Sequence, residues 1–153
     1  MVQKRKNSIE SDPKYNNILV AVFINKIMRK GKKSLAQKIV YETFEEINKK
    51  TKKKPLEIFD VAIKNTSPLF ETRPRRVGGA TYQVPTPVSD ERQRTLAMRW
   101  IVAIAKKKKS KKMKEKLAEE IILAAKEEGG AVKKKIETER MAEANKAFAH
   151  FAR

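Results

Sequence analysis

Apolar residues recur every three or four positions along most of the chain, the spacing of one face of an α-helix. A first helix is predicted after Asn16 or Asn17, either of which is a plausible N-cap, and should end at Gly31. Ser34 is predicted to cap a second helix that ends in the lysine cluster 49–54. The positions expected to face inward in these two helices are Leu19, Val22, Phe23, Ile27, Leu35, Ile39, Val40, Phe44 and Ile47.

The same periodicity predicts four more helices. Pro55 suits the first turn of a short third helix that stops before Pro68. Ser89 can cap a fourth helix that runs into the lysines beginning at Lys106. A fifth helix should end at Gly129-Gly130, and a sixth should cover 132–151. The predicted inward positions are Leu56, Phe59, Ala62, Ile63, Leu96, Trp100, Ile101, Ile104, Leu117, Ile121, Ile122, Ala125, Ile136, Ala144, Ala147 and Phe148.

The segment at about 70–88 follows a different pattern. Its prolines forbid a helix, and Gly78-Gly79 supplies the positive φ angles of a tight hairpin turn. The turn sets three pairs of residues opposite each other: Val77 and Ala80, Arg75 and Tyr82, and Arg73 and Val84. The chain is therefore predicted to be mainly α, with a flexible basic arm at 1–12 and one six-helix, bundle-like domain at 13–153 from which a β-hairpin protrudes.

The length and the net charge of the chain limit the classes of protein to which it can belong. A chain of 153 residues fits one domain and can bury about 68–70% of its unfolded surface. Its formal charge of +19 calls for a polyanionic partner, either nucleic acid or an anionic membrane. The longest uncharged apolar run, Ile18 to Ile24, is too short to span a bilayer, and the amino terminus lacks the apolar core of a secretory signal. We therefore expect a soluble intracellular protein.

The positive charge is unevenly distributed. Residues 1–54 hold 15 basic and 5 acidic side chains, and residues 99–116 hold 9 basic and 1 acidic, whereas residues 117–153 hold 7 of each. This asymmetry indicates a directed binding face opposite a solvated one. The alternative, that the lysine runs merely reflect a lysine-rich proteome, explains a single run better than it explains all of them together.

Two segments are the strongest candidates for contact with RNA. The hairpin carries Arg73, Arg75 and Arg76 between prolines that prevent pairing with another sheet, although it could also be an ordinary connection. The run from Lys106 to Lys114 holds seven lysines and is too dense to pair with local acids. Two interpretations are compatible with this run: a row of lysines that binds successive RNA phosphates, and a mobile loop exposed to solvent. Trp100 is better explained by core packing than by base stacking.

Enzymatic function is not indicated. The chain has no cysteine, which excludes disulfides, thiolate zinc sites and thiol nucleophiles. Its one histidine, His150, lies near the carboxyl terminus, and the adjacent glutamate pairs cannot face each other on a helix. No phosphate-binding loop motif is present, so we expect no catalytic residue, metal, cofactor or small-molecule substrate.

Two long motifs resemble the bacterial form of small-subunit ribosomal protein seven. They are Arg-Arg-Val-Gly-Gly-Ala-Thr-Tyr-Gln-Val-Pro at 75–85 and Lys-Lys-Ile-Glu-Thr-Glu-Arg-Met-Ala-Glu-Ala-Asn-Lys-Ala-Phe-Ala-His at 134–150. Shorter matches at 12–15, 24–28, 31–33, 55–57 and 96–100 extend the resemblance over nearly the whole chain. The extreme amino terminus and the run 106–112 look idiosyncratic.

The resemblance implies a non-enzymatic constituent of the small ribosomal subunit. Members of this family bind the 3′ major domain of the ribosomal RNA, organise assembly of the head, and lie near the exit-site transfer RNA, the messenger RNA exit channel and other head and platform proteins. The cytoplasm is the expected location, with an organellar ribosome left open. The residues expected to contact RNA are Lys4, Arg5, Lys6, Lys30, Lys32, Lys33, Arg73, Arg75, Arg76, Tyr82, Arg92, Arg94, Arg99, Lys106, Lys107, Lys108, Lys109, Lys111, Lys112 and Lys114.

Two other classes of protein share the charge. A nucleoid-type protein that compacts DNA would bind duplex DNA as well as folded RNA. A peripheral membrane protein would need a basic amphipathic helix with large exposed apolar residues, whereas the apolar faces here look committed to a common core.

Overall fold

The structure, a computed structural model, describes residues 8–152. The predicted contacts at Lys4, Arg5 and Lys6 lie outside these residues. Within 8–152 the secondary structure elements are α1 (Ile18–Ile27), α2 (Lys33–Thr51), α3 (Pro55–Thr66), β1 (Phe70–Val77), β2 (Ala80–Pro87), α4 (Asp90–Lys107), α5 (Met113–Ala125), α6 (Gly130–Ala144) and a 3-10 helix (Lys146–Ala152). The prediction of a mainly α protein with one β-hairpin is confirmed.

The starts of the helices agree partly with the predicted caps. Asn17 is the N-cap of α1, where its side-chain Oδ1 accepts a hydrogen bond from the amide of Val20 at 3.2 Å. The helix ends at Ile27 and not at Gly31, so the chain from Met28 forms an exposed basic loop. The predicted Ser34 cap is wrong, because α2 already begins at Lys33. Because α1 ends four residues earlier than predicted, residues 28–31 belong to the loop and not to the helix.

The core is built around three phenylalanines from three helices. The ring of Phe59 lies 5.0 Å from that of Phe23 and 5.4 Å from that of Phe44, and all three are fully buried. Helix α5 packs against α2, α3 and α4 and adds Leu117 and Ile121 to the same core. Burying such side chains contributes roughly 1.5–3 kcal/mol each, which is the main stabilisation of the helical body.

Helix α6 approaches α4 very closely at its first residue. A Cβ placed on Gly130 would lie 2.9 Å from Cγ2 of Ile104, closer than real Cβ contacts allow. The preceding Gly129 has φ +91°, a conformation that L residues rarely adopt. The glycine pair therefore turns the chain sharply and lets the backbone of α6 rest on α4.

The sixth helix is shorter than predicted. Helix α6 ends at Ala144, and the chain continues as the 3-10 helix. Three inward assignments are wrong, because Ile136, Ala144 and Ala147 are exposed, and Phe148 is only half-buried. The break at Asn145 turns the aromatic residues of the carboxyl terminus toward β2, and this contact replaces burial in the helical core.

Leu35 also departs from its prediction. It is 53% exposed, although its spacing relative to Ile39 placed it on the inward face of α2. The reason is its position in the first turn of the helix, directly after the basic loop, where it lines a solvent-facing groove.

The hairpin has the predicted register. Val77 pairs with Ala80, Arg75 with Tyr82, and Arg73 with Val84. Gly78 and Gly79 form the turn with φ +57° and +84°, as a two-residue hairpin loop requires. Near the base of the hairpin, Val84 and Glu71 are buried, whereas the tip is exposed. The base rests on α6 and the 3-10 helix, so the body holds the arm in place.

The residues before α1 are fixed to the body by a buried acid. Asp12 accepts hydrogen bonds from the amides of Lys14 and Tyr15 and from the hydroxyl of Tyr41, the last at 2.6 Å. Burial, followed by this bond to the carboxylate, raises the pKa of Tyr41 to about 12. Tyr41 therefore stays a neutral donor at physiological pH and holds the segment against α2.

Candidate nucleic-acid interface

Two of the predicted basic segments meet in one groove. The groove lies where the loop between α1 and α2 faces the end of α4 and the start of α5. Its rim carries five basic residues: Arg29, Lys30, Lys32, Lys106 and Lys116. Its floor is apolar and consists of Ile27, Met28, Leu35, Ala36, Ile39 and Met113. Among residues 8–152 no acidic side chain lines this groove, which we call the basic groove, so all of its charged lining residues are cations.

The lysine run is partly paired, contrary to prediction. The Nζ of Lys111 lies 3.0 Å from Oε2 of Glu119. The buried Nζ of Lys108 lies 3.5 Å from Oε1 of Glu119 and 3.3 Å from Oε2 of Glu120, although neither contact has the angle of a hydrogen bond. Acids about two turns into α5 therefore contact the loop, because the loop folds over the helix that follows it. Within residues 8–152 the exposed lysines without an ion pair in the run are Lys106, Lys107, Lys109 and Lys112.

Glu120 positions the lysine loop, and the sequence analysis missed it. It is 1% exposed, and its Oε1 accepts a hydrogen bond at 3.0 Å from the amide of Ala131, in the first turn of α6. Its other oxygen faces Lys108. The signal was its spacing, since Glu120 shares a helix face with the buried Leu117 and Ala124. One buried carboxylate thus ties the lysine loop to the start of α6.

A second carboxylate holds two of the predicted RNA-binding arginines. Nε and Nη2 of Arg92 donate to the two oxygens of Glu71 at 2.6 and 3.0 Å, and Arg73 donates to Oε1 at 2.9 Å. The bond from Arg92, together with that from Arg73, lowers the pKa of Glu71 below its ordinary 4.5, against the opposing effect of burial. This cluster carries one net positive charge at the junction of hairpin and α4.

Replacing Glu71 with glutamine is expected to lower the free energy of unfolding at pH 7 by about 1–2 kcal/mol. The loss stays below that of a fully buried pair because the side chains of Arg73 and Arg92 are 57% and 38% exposed. Since the folded pKa is depressed, the stabilisation is complete above pH 4.5 and is lost as the pH falls below it. Urea unfolding at pH 7 and pH 3 should show the difference between variant and wild type disappearing in acid.

The exposed Glu10 provides the control for that measurement. Glu10→Gln should leave the free energy of unfolding close to wild type at both pH values. A Glu71→Gln difference that persists at pH 3 would contradict a role for the ionised carboxylate.

Of the other predicted contacts in the hairpin, Arg75 and Tyr82 pack against the carboxyl-terminal segment, whereas Arg76 is exposed. Nη1 of Arg75 donates to the carbonyl oxygen of Phe151, and the ring of Tyr82 lies 5.1 Å from Phe148 and 4.9 Å from Phe151. Tyr82 is therefore half-buried in an aromatic cluster at the carboxyl terminus. Arg76, next to the turn, is exposed and forms no ion pair within residues 8–152.

Helix α4 carries the remaining predicted contacts. Arg94 and Arg99 are exposed, and Arg92 and Arg99 share a face because they are seven residues apart. Trp100 is half-buried and packs against the core, which confirms the packing role predicted for it. Among residues 8–152, no cluster of acids and histidine is placed to hold a metal ion, and no helix is both long and apolar enough to cross a bilayer.

Comparison with known proteins gives the family. The model of the family described as ribosomal protein S7p/S5e matches residues 2–146. A protein of Thermotoga maritima named small ribosomal subunit protein uS7 is 58% identical over 95% of this chain and 94% of its own length. A protein of the same name from Roseiflexus sp. is 51% identical over 93% of this chain and 90% of its own length.

A third relative, from Caldanaerobacter subterraneus, carries the same name and is 58% identical over 95% of this chain. The match to the family model covers the first motif, residues 134–146 of the second, the basic groove and the hairpin. The family is one of ribosomal proteins and not of enzymes. The chain belongs to the ribosomal protein S7p/S5e family, in its bacterial form.

Proposed function

We propose that this chain is a structural constituent of the small ribosomal subunit in the cytoplasm and a primary binder of the 3′ major domain of its ribosomal RNA. Family membership supports the ribosomal role. The observation that carries the RNA-binding role is the basic groove, where cations from one loop and from two helices far apart in sequence surround a surface without acids. Such a field attracts a folded polyphosphate more strongly than scattered surface lysines do.

The finer parts of the proposal follow from the resemblance. We place the hairpin near the exit-site transfer RNA and the messenger RNA exit channel, and other head and platform proteins around the body. Two features of the hairpin support this role: its tip with Arg76 is exposed, and its base packs against α6 and the 3-10 helix. Because these contacts already fix the hairpin, binding to RNA does not have to supply the entropy cost of ordering it.

The mechanism is chiefly electrostatic. Lysines and arginines neutralise phosphates and release counterions, and the rigid helical body selects the shape of an RNA junction. If about eight phosphates are contacted, log affinity should fall with log salt with a slope of roughly −6 to −7. A slope near zero would exclude this mechanism.

Competition binding tests the proposed function against the DNA-compacting alternative. The purified chain is bound to a labelled RNA comprising the head domain of small-subunit ribosomal RNA, and unlabelled duplex DNA of equal length competes. We expect the RNA to win by several orders of magnitude at 0.15 M salt, since specific nucleic-acid complexes exceed nonspecific ones by about 10³-fold or more. Equal competition by DNA would overturn the proposal.

The hairpin arginines should have separable roles. Arg76→Ala is expected to reduce the magnitude of the salt slope by roughly 0.7–0.9 while the helical circular dichroism stays unchanged, because Arg76 is exposed and forms no ion pair with any residue of 8–152. Arg75→Ala should in addition loosen the 3-10 helix, which loses its bond at Phe151. Loss of helicity in Arg76→Ala would instead make this residue structural.

A further inference from the structure

We propose that the basic groove holds the base of one unstacked nucleotide of the ribosomal RNA, with the flanking phosphates on its lysine rim. This inference rests on the proposed function and deepens it. Positive charge alone explains contacts with phosphates, whereas the apolar floor of the groove would also contact a base.

The floor of the groove is the first argument. Leu35 is a large aliphatic side chain that the fold leaves 53% exposed, and it lies between the half-buried Met28, Ile39 and Met113. These side chains form one apolar surface where the helical core reaches solvent. Methionine thioethers are polarisable and adapt to aromatic faces, and a base presents such a face to any apolar surface it stacks on.

The rim is the second argument. Five cations surround this floor, and their charges complement the phosphates on either side of an extruded nucleotide. The groove has a volume of about 600 Å³. That size lies within the roughly 300–1,000 Å³ of pockets that bind small organic ligands, so the groove has the volume that a base requires.

Two other grooves of the described chain serve as comparisons. One lies between α2, α3 and α5 and includes Glu119 beside Val61, and the other lies under the hairpin and includes Glu139 and Glu143. Both have apolar surface, and the first also carries three lysines and the second one, but each places at least one carboxylate beside its cations. The basic groove alone among these three joins an apolar floor to a rim free of acids.

The first test removes the floor and keeps the charge. Leu35→Ser is expected to weaken binding to the head-domain RNA about five- to tenfold, with an unchanged salt slope, because no phosphate contact is lost. Val61→Ser is the matched control, since Val61 is a similarly exposed aliphatic residue on α3. It should bind RNA like the wild type. Both variants should keep the thermal unfolding midpoint of the wild type.

The second test uses the absence of cysteine from the natural chain. Leu35→Cys and Val61→Cys each introduce a single thiol whose alkylation rate reports access to that position. Binding of head-domain RNA should slow alkylation at position 35 at least tenfold and leave position 61 unchanged.

The outcomes separate the two proposals. If the wild type fails to bind this RNA, the proposed function fails. If the wild type binds but Leu35→Ser binds equally well, or its salt slope changes, the base-binding groove is overturned while the proposed function stands. Protection of the thiol at position 35 only in assembled subunits, and not by RNA alone, would mean that a protein segment fills the groove and would also overturn the inference.

Discussion

Replacing Glu120 with alanine should lower the free energy of unfolding by about 3–5 kcal/mol, the largest effect expected from any single charged residue of the described chain. The substitution leaves the buried ammonium group of Lys108 without its nearest carboxylate and the amide of Ala131 without its acceptor. The amide is buried, so it contributes its full desolvation penalty, and the ammonium group keeps only the partly exposed Glu119 at 3.5 Å. Urea unfolding followed by circular dichroism measures the change.

The adjacent Glu119 is the control for this substitution. It also contacts Lys108, but its side chain is 37% exposed, so Glu119→Ala should cost less than about 1 kcal/mol. Glu120→Gln should fall between the two, because the amide keeps an acceptor for Ala131 but carries no charge for Lys108. Equal losses in the two alanine variants would show that burial of Glu120 contributes nothing.

The second large effect concerns RNA affinity. Simultaneous replacement of the four exposed, unpaired lysines of the run by alanine should weaken RNA binding roughly 100- to 1,000-fold at 0.15 M salt and reduce the magnitude of the salt slope by about 3. The four are Lys106, Lys107, Lys109 and Lys112. Each would otherwise neutralise one phosphate, and the lost counterion release is the physical cause. Filter binding across a salt series measures both quantities.

A variant of equal charge tests whether position matters. Lys49, Lys50, Lys52 and Lys53 lie at the opposite end of α2 from the basic groove, about 27 Å along a helix of 19 residues. That distance exceeds the Debye length of about 8 Å at 0.15 M salt, so their replacement by alanine should cost less than about tenfold in affinity. Equal losses in the two variants would mean that only net charge matters.

Sequence patterns predicted the fold well where one local signal sufficed. The glycine pair determined the hairpin register, and Pro55 marked the start of α3, as found. The errors occurred where tertiary contacts outweigh periodicity. Alanines of the sixth helix fit either a buried or an exposed face, so spacing alone could not reveal the break at Asn145.

The candidate site was predictable in composition but not in pairing. Counting charges located the lysine run, yet the pairing of Lys108 and Lys111 depends on how the loop folds over α5. The sharing of Glu71 between Arg73 and Arg92 likewise depends on the angle between hairpin and α4, which no local pattern encodes. The meeting of the α1–α2 loop with the end of α4 and the start of α5 in the basic groove is a property of packing alone.

The close contact of Gly130 with Ile104 has a mechanical consequence. Helix α6 is seated on α4 at one end, beside the lysine loop, and leads at its other end into the segment that braces the hairpin. Its 15 residues span about 22 Å, so a single helix sets the distance between the lysine loop and the hairpin. A ligand touching both regions meets them already at a fixed separation, and the entropy of aligning them is lost during folding and not during association.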